Sequence, residues 1–258
     1  MSRIHPTAVL EPGAKVGERV VIGPFAVLGG DVVLEDEVEV GSHSVLAGVL
    51  RVGRGTRIFP GCVIGTEPQI VGEASEIGGL EIGRDNVIRE HVVIHAGSSR
   101  GDGSTRIGDE NYLLNNVHVA HDCTIGSKCV LTSFSALAGH VVIEDHVVLG
   151  AMTGVHQFVH VGESAFSAAN SMLSKDVPPF VSVAGDRARF VGLNRVGLAR
   201  RGFSPEVVAV IKHAYHLLFK SGLRLEQAVE TLSRECKGSS EVMRVLAFIG
   251  RAERGVVR

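Results

Sequence analysis

An aliphatic residue recurs at every sixth position through most of this chain. From Ile4 to Ile64 the spacing has no exception, and it returns between Ile82 and Ile94. It then shifts by one residue and continues from Ile107 to Val161. Neither an α-helix, with a period of about 3.6, nor an ordinary strand, with a period of about two, explains this spacing. A parallel β-helix of hexapeptide repeats does, because each unit forms a short strand and a corner, and three units close a triangular coil.

Composition and the placement of small residues agree with such a fold. Hydrophobic residues make up 45% of the chain, aromatic residues only 5%, and Trp is absent. Val, Ile, Leu and Ala fit the interior of a thin coil better than large rings do. Glycines such as Gly17 and Gly126 directly follow repeat aliphatics, where we expect the chain to turn a corner. Cys62, Cys123 and Cys129 each lie two residues before a repeat aliphatic, which predicts small buried residues without a redox or metal role.

Two segments interrupt the repeat, and a third ends it. Residues 66–80 add length but leave the sixfold register of the aliphatic residues unchanged, whereas residues 98–106 shift that register by one residue. Both segments are rich in Gly or polar residues and predict external loops. Pro178 and Pro179 end the regular coils, because proline has no N–H to donate to a strand ladder.

After about residue 191 the apolar residues follow a helical period. Ser204-Pro205-Glu206 combines an N-cap, a first-turn proline and an acidic first turn, and two further amphipathic stretches follow. We therefore predict a mainly β protein with a parallel β-helix over residues 1–190 and a small C-terminal α-helical domain over residues 191–258. Other proteins with this repeat imply that the β-helix is left-handed.

Charge and the start of the chain restrict the partners and the compartment. The formal net charge of −2 gives no general attraction to nucleic acid or to a membrane surface. The chain begins at Met1 and has no apolar run suited to a signal peptide or a transmembrane span. We expect a cytoplasmic protein that neither binds nucleic acid nor inserts stably into a membrane.

A cluster of histidines is the strongest sign of function. Eight of the 12 histidines lie in residues 91–160, and residues 18 apart stack on adjacent coils. This spacing predicts one polar face on three adjacent coils, formed by His121, Asp122, Gly139, His140, His156 and Gln157. His118 lies three residues before His121, near the preceding corner.

Three interpretations of this face compete. Histidine is tolerated on the solvated face of a non-catalytic repeat protein, although three coils contributing together make that reading weak. Converging His side chains could bind zinc, as in γ-class carbonic anhydrase-like hydratases on the same fold. A neutral imidazole held by a carboxylate could instead act as a general base, with a backbone N–H as oxyanion donor. His121, Asp122 and Gly139 provide the parts for that third chemistry.

Five stretches carry a family resemblance that spans almost the whole chain. They read NNVHVAHDCTIG (115–126), LAGH (137–140), GAMTGVHQF (150–158), DVPPF (176–180) and GLNRVGLARRGFS (192–204). Together they resemble UDP-N-acetylglucosamine O-acyltransferases, the first enzymes of lipid A biosynthesis. The resemblance implies a homotrimer with active sites between neighbouring β-helices. It also implies transfer of an (R)-3-hydroxyacyl chain from acyl carrier protein to the 3-position of a UDP-aminosugar, without metal, cofactor or covalent intermediate.

The resemblance also assigns roles to residues of this chain. His121 matches the general base, Asp122 the carboxylate that orients it, and the N–H of Gly139 the oxyanion donor. Ala169 matches the position that measures acyl-chain length. The positions that match substrate contacts are Gln69, His118, His140, His156, Gln157, Asn194, Arg200 and Arg201, of which the last three belong to the nucleotide end.

Some positions depart from the family pattern. The external loop has Ile70 and Gly72 where the family has Asp and Lys, and Val196 stands where an acidic residue is expected near uracil. His95-Ala96-Gly97-Ser98 replaces HRGT. These changes leave open an acceptor with a 3-amino group in place of the 3-hydroxyl.

Overall fold

We describe the chain from a computed structural model, which covers residues 1–71, 78–99, 101–252 and 254–258. Gly72, where the external loop departs from the family pattern, lies outside these residues. The strands, most of them two residues long, are β1 Arg3–Ile4, β2 Val9–Leu10, β3 Lys15–Val16, β4 Val21–Ile22, β5 Val27–Leu28, β6 Val32–Leu34, β7 Glu39–Val40, β8 Val45–Leu46, β9 Val49–Val52, β10 Arg57–Ile58, β11 Val63–Thr66, β12 Gly79–Ile82, β13 Val87–Ile88, β14 Val93–His95, β15 Ser104–Ile107, β16 Tyr112–Leu113, β17 His118–Val119, β18 Thr124–Ile125, β19 Val130–Leu131, β20 Ala136–Leu137, β21 Val142–Ile143, β22 Val148–Leu149, β23 Gly154–Val155, β24 His160–Val161, β25 Phe166–Ser167, β26 Met172–Leu173, β27 Val181–Ala184 and β28 Arg189–Leu193.

The strands form three sheets that run side by side along the molecule. The first sheet contains every third strand from β1 to β25, followed by β27 and β28; the second runs from β2 to β26, and the third from β3 to β24. Neighbouring strands pair in parallel, except for the antiparallel pair of β27 and β28. The chain therefore winds around a triangular coil, as its sixfold period predicts.

The repeat aliphatics fill the interior of this coil. Between Ile22 and Val161 all of them are buried, and residues such as Leu28, Leu46 and Val119 expose no surface. Ile4, in the first coil, is exposed because no coil covers it from below. At about 25 cal/mol for each Å² of apolar surface, this continuous core is the main source of stability.

The three corners of the coil differ in chemistry. We name the corner between the first and second sheets the first corner, that between the second and third sheets the second corner, and that between the third and first sheets the third corner. The third corner carries ion pairs such as Arg19–Glu37 at 2.6 Å. The first corner carries exposed Phe25, Phe134 and Met152. The second corner receives both interruptions of the repeat.

A polar stack shows how the coil absorbs these interruptions. The Asn86 N–H donates to Thr56 Oγ1, 30 residues earlier, and the Asn111 N–H donates to Asn86 Oδ1, 25 residues earlier. The Cys129 N–H then donates to Asn111 Oδ1 at the regular separation of 18. The sheets therefore stay in register, and the chain leaves and rejoins the coil at the second corner on both sides of each insertion. Strand β15 starts at Ser104, inside the predicted loop of residues 98–106.

Most corners owe their shape to residues other than the glycines that follow the repeat aliphatics. Left-handed backbone occurs two residues further on, for example at Arg19, Asp122 and His140, with φ of 55°, 59° and 60°. A Cβ at Gly126 would lie 2.9 Å from the backbone N of Asp145 on the next coil. Such glycines are therefore needed at the corners for close stacking of coils, and Gly65, with φ of 83°, also takes the left-handed conformation itself.

Four helices follow the coils within the described residues: α1 Arg195–Arg200, α2 Pro205–Lys220, α3 Leu225–Glu235 and α4 Ser240–Arg251. Ser204 caps α2 as predicted, since its side chain accepts from the Val207 N–H. The short α1 was not predicted. Strand β28 crosses the predicted domain boundary at residue 190 and ends at Leu193.

The helices are fastened to the last coils. The Tyr215 hydroxyl donates to the Pro179 carbonyl at 2.6 Å, and the Arg244 guanidinium donates to Glu163 at 2.6 Å. The Phe248 ring in α4 packs against His160. The C-terminal part and the β-helix therefore share one packed core.

None of the helices in the described ranges combines the length and the apolar character that a bilayer span requires.

Candidate active site

His121 and Asp122 form the second corner between β17 and β18. The imidazole Nδ1–H donates to Asp122 Oδ2 at 2.7 Å. The His121 side chain is 15% exposed and that of Asp122 only 2%. A carboxylate so far from water needs donors for its charge, and the imidazole supplies one. Because Nδ1 is engaged, Nε2 is the nitrogen free to take a proton from a substrate.

Ser98, at the start of the second insertion and 24 residues before Asp122, contacts the carboxylate of Asp122. Its backbone N–H donates to Asp122 Oδ1 at 2.9 Å, and its hydroxyl donates to Oδ2 at 2.6 Å. Behind the carboxylate the chain passes so closely that a Cβ at Gly101 would lie 2.4 Å from Oδ1. The Asp122 N–H donates to Thr105 Oγ1 at 2.9 Å. Spacing did not predict Ser98, because periodicity does not determine the path of an insertion.

Gly139 lies one coil further on, directly against the His121 ring. A Cβ at this position would come within 2.7 Å of Cε1 and 2.8 Å of Nε2 of His121. Glycine is therefore required for the imidazole to keep its position. Within the described ranges the Gly139 N–H donates to no acceptor. The structure thus brings together the three residues that the sequence places in the catalytic group.

His140 borders the same pair from the side. Its ring meets His121 edge-on at 5.2 Å between centroids, and its Nε2 lies 3.9 Å from Asp122 Oδ2. Phe158 stacks on His140 with centroids 4.6 Å apart. Phe158 was missed, although its separation of 18 residues from His140 follows the coil repeat and would have found it.

A second pair of histidines lies on the neighbouring coils. His118 projects outward from the second sheet, and its ring centroid is 5.3 Å from that of His95. Burial lowers the pKa of His118, and the charge of His95 lowers it further. His95 donates from Nδ1 to the Glu67 carbonyl at 2.7 Å. Its Nε2 is buried and has no hydrogen-bond partner among the described residues, and its contact with His118 makes His95 a further polar neighbour of this site that spacing did not predict.

The remaining predicted substrate contacts lie around this centre. Gln69 is exposed in a groove of about 510 Å³ that His95 also lines. His156 and Gln157 are exposed on the coil beyond Gly139. His156 also lines a cavity of about 920 Å³ with basic neighbours such as Arg187. The second corner thus carries polar residues on five successive coils.

Comparison with known proteins identifies the family. A family model described as Udp N-acetylglucosamine O-acyltransferase, domain 2, matches residues 176–257, and one for six bacterial transferase hexapeptide repeats matches residues 13–48. The acyl-[acyl-carrier-protein]--UDP-N-acetylglucosamine O-acyltransferase of Thermodesulfovibrio yellowstonii is 40% identical over 258 residues, all of both chains. The protein with the same name from Halorhodospira halophila is 43% identical, again over all of both chains. The chain belongs to this acyltransferase family.

The solved structures agree with this assignment. The UDP-N-acetylglucosamine acyltransferase of Bacteroides fragilis matches with a TM-score of 0.96 and 36% identity, over 99% of this chain and 100% of that one. The predicted fold class, a left-handed parallel β-helix with a small helical C-terminal part, is confirmed.

At the predicted nucleotide end of this acyltransferase, two residues bond within the protein. Asn194 caps α1: its Oδ1 accepts from the Gly197 N–H at 3.0 Å, and its Nδ2 donates to the Ser164 carbonyl at 2.9 Å. Arg201 donates to Glu163 at 2.7 Å and also contacts Ser164. Arg200 is exposed in the last turn of α1. Their binding roles stay predictions, and Arg200 is the freest of the three to reach a phosphate.

Ala169 lies at the first corner, next to exposed Asn170. A Cβ at Gly150, one coil earlier, would lie 2.5 Å from the Ala169 N. His121 and Ala169 therefore flank the outer face of the second sheet from its two edges. Its role as the acyl-length position stays a prediction.

Two alternative chemistries can be judged from the same geometry. Ligand atoms of His121, Asp122 and His140 lie within 4.8 Å of one another, so a metal ion could be held there. The nearest nitrogen and oxygen of His121 and Asp122 already share a hydrogen bond. Cys123 is buried beside this pair, and burial raises the pKa of its thiol to about 12. A thiol in this state is a poor nucleophile, and the core role predicted for Cys123 is confirmed.

Proposed function

We propose that the chain transfers an (R)-3-hydroxyacyl group from acyl carrier protein to the 3-position of UDP-N-acetylglucosamine, the first step of lipid A biosynthesis. The observation that carries this proposal is the His121–Asp122 pair facing Gly139, in a chain that belongs to the acyltransferase family. The names of the full-length relatives supply the donor and the acceptor. The reaction takes place in the cytoplasm.

The chemistry follows from the arrangement of these groups. His121 Nε2 accepts the proton of the sugar 3-hydroxyl as its oxygen attacks the thioester carbonyl. Asp122 stabilises the imidazolium through Nδ1. The Gly139 N–H donates to the oxyanion of the tetrahedral intermediate. The C–S bond then breaks, the ester C–O bond remains, and His121 returns the proton to the departing sulfur. No covalent enzyme intermediate or cofactor is needed.

The outer face of the second sheet provides a surface for the acyl chain. Beyond Val93 its outward residues are His118, Ala136, Gly154 and Met172, which are small or apolar apart from the histidine. This strip runs along the second sheet from coil to coil, between the second corner with His121 and the first corner with Ala169. An Ala169→Gly variant therefore prefers longer acyl chains, since one methyl changes the fit by about 1 kcal/mol. Equal or shorter preference would contradict the length-measuring role.

The same face supports a homotrimer. In the first four coils its outward residues are Val9, Val27, Val45 and Val63, and Val9 is 53% exposed. A continuous row of outward valines, of which Val9 is exposed and the other three are half-buried, is typical of a surface covered by a partner. The outer row of the third sheet offers a matched control, because Val33 alternates there with Lys15 and Arg51.

Sedimentation at micromolar concentration tests the trimer. A second copy of the chain would cover the second sheet, so Val27→Glu dissociates the trimer while Val33→Glu leaves it intact. Trimers in both variants would contradict this interface, and monomeric wild type would contradict the trimer itself.

The acceptor sugar is proposed to carry a 3-hydroxyl, and a 3-amino analogue is the alternative. Ile70 has an apolar side chain where the family has Asp, so this chain lacks that carboxylate at the loop beside Gln69. Assaying UDP-N-acetylglucosamine and its 3-amino analogue side by side distinguishes an ester from an amide product. Exclusive use of the amino sugar would overturn the hydroxyl assignment while keeping the acyltransferase.

The deciding experiment is an acyl-transfer assay read by mass spectrometry, with hydroxyacyl-acyl carrier proteins of several chain lengths. Wild type forms product, and His121→Ala loses about 10²- to 10⁴-fold in rate, the usual contribution of a general base. His43→Ala, an exposed corner histidine stacked on Phe25 in an early coil, is the matched control and keeps full activity.

The same acyl-transfer assay, repeated after treatment with a metal chelator, distinguishes the metal-free mechanism from the zinc alternative. Activity that survives exhaustive chelation supports the metal-free mechanism. Loss of activity that Zn²⁺ restores would favour a metal at His121, Asp122 and His140. Absence of product with every donor and acceptor would overturn the proposed function.

A further inference from the structure

Ser98 holds the proposed catalytic carboxylate with both of its hydrogen-bond donors. Its N–H reaches one carboxylate oxygen of Asp122 at 2.9 Å and its hydroxyl the other at 2.6 Å. Two donors from one residue fix both the position and the plane of a carboxylate. We propose that Ser98 is a positioning residue for the general base, acting through Asp122 on His121. This inference rests on the proposed function.

The contact lies where the second insertion leaves the coil. Asp122 occupies a corner with φ of 59°, and its carboxylate accepts from both His121 and Ser98. On the regular repeat, the residue one coil below Asp122 would be Ser104, which begins β15. Strand β14 pairs with β17 at a separation of 25 residues, so Ser98 directly follows the position below Asp122, where the second insertion leaves the corner. The insertion that breaks the repeat therefore supplies the group that holds Asp122.

Burial makes this hydrogen bond matter. Ser98 exposes no surface, and the Asp122 side chain is 2% exposed, so water has little access to replace a lost donor. The Ser98 hydroxyl and the His121 Nδ1–H share the same oxygen, Oδ2. Without the hydroxyl, the carboxylate can rotate about its remaining bond to the Ser98 N–H. The imidazole would then lose the single orientation in which Nε2 faces Gly139.

Three variants test the inference. Ser98→Ala removes the hydroxyl and keeps the backbone donor, whereas Ser98→Thr keeps both donors. Ser44→Ala is the matched control: this serine is equally buried, and its hydroxyl donates to the Phe59 carbonyl at 3.1 Å in an early coil. All three are compared with wild type by thermal unfolding, so that loss of fold is separated from loss of function.

A specific effect on kcat is expected. Ser98→Ala lowers kcat about 10- to 100-fold, the loss that removing one hydrogen bond to a charged group produces. KM for both substrates changes less than about threefold, since Ser98 acts on the base and not on binding. Ser98→Thr restores kcat to within about threefold of wild type, and Ser44→Ala leaves kcat unchanged. Unchanged kcat in folded Ser98→Ala, or a loss confined to KM, would overturn the inference.

Nitrogen NMR of the imidazole gives a readout that does not require turnover. In ¹⁵N-histidine-labelled protein, the His121 Nδ1 signal is that of a single nitrogen carrying its proton in wild type and in Ser98→Thr. Ser98→Ala shows exchange between tautomers, with the signal assigned by its loss in His121→Ala. An unchanged tautomer in Ser98→Ala would overturn the positioning role even if no acyl transfer were observed.

Discussion

The second corner is built differently in the early and in the middle coils of the β-helix. In the early coils it is short and closely packed: a Cβ at Gly30 would lie 2.7 Å from the Pro12 carbonyl oxygen. In the middle coils it carries the insertions and the polar residues around His121 and Asp122. The interior beneath is the same, since Leu28 and Val119 both expose no surface. Stability therefore resides in the interior, and chemistry in one corner.

The largest effect in this comparison is expected at Gly139. In Gly139→Ala the new methyl group would overlap the His121 ring at 2.7 Å, so the imidazole must move away from the oxyanion donor. We expect kcat to fall about 10²- to 10³-fold, the size of losing one oxyanion contact. The melting temperature should change little, because the displaced ring lies at the corner and outside the apolar core. Steady-state kinetics and calorimetry on the same preparation measure both.

Gly238→Ala is the control for this change, because a Cβ there meets no atom within 4 Å. It should match wild type in both measurements. A Gly139→Ala protein with normal kcat would show that the ring has room to move without loss of function.

A smaller, pH-dependent effect is expected for His118, which the early coils replace with valine. Burial first, and then the charge of His95, lowers the pKa of His118 in the folded state. The unfolded chain, with a pKa of about 6.5, therefore binds the proton first, and stability falls as the pH drops below that value. His118→Gln should flatten the decline between about pH 7.5 and 5.5. Denaturant unfolding at fixed protein concentration measures both slopes.

Part of the decline should remain in His118→Gln. Burial, and then the charge of Arg201, lowers the pKa of His146 as well. Identical slopes in wild type and His118→Gln would contradict the assignment.

The smallest effect is expected from thiol reagents, because the cysteines inside the early and the middle coils are equally buried. Burial raises the pKa of Cys62 to about 11 and those of Cys123 and Cys129 to about 12. A maleimide at neutral pH should label only Cys236, which is partly exposed, and activity should not change. All 4 cysteines should react after denaturation, which is the control. Labelling of native Cys123 would show that the site coils open.

Much of this arrangement could be predicted from the sequence because stacking follows a fixed period. The separation of 18 residues predicts that Gly139 lies beside His121, and the structure has this contact. The same separation relates His140 to Phe158 and would have identified the stacked ring. A regular solenoid thus turns spacing in sequence into neighbours in space.

The remaining contacts could not be predicted, because they depend on the path of an insertion. Ser98 begins the second insertion and Gly101 lies within it, and no period describes how their chain passes Asp122. Asn194 is different: an asparagine just before a helix is a common N-cap, and that local signal was available. The family motif around it gave greater weight to nucleotide binding.

The confinement of both insertions to one corner has a practical consequence. The hydrogen-bonded stack from Thr56 through Asn86 to Asn111 continues across both insertions. The alignment of the coils therefore does not depend on the loops that leave them at this corner. Loops of other lengths can therefore be grafted at that edge, one at a time, without realigning the rest of the chain. The choice of acceptor can therefore be redesigned through these loops separately from the folding of the β-helix.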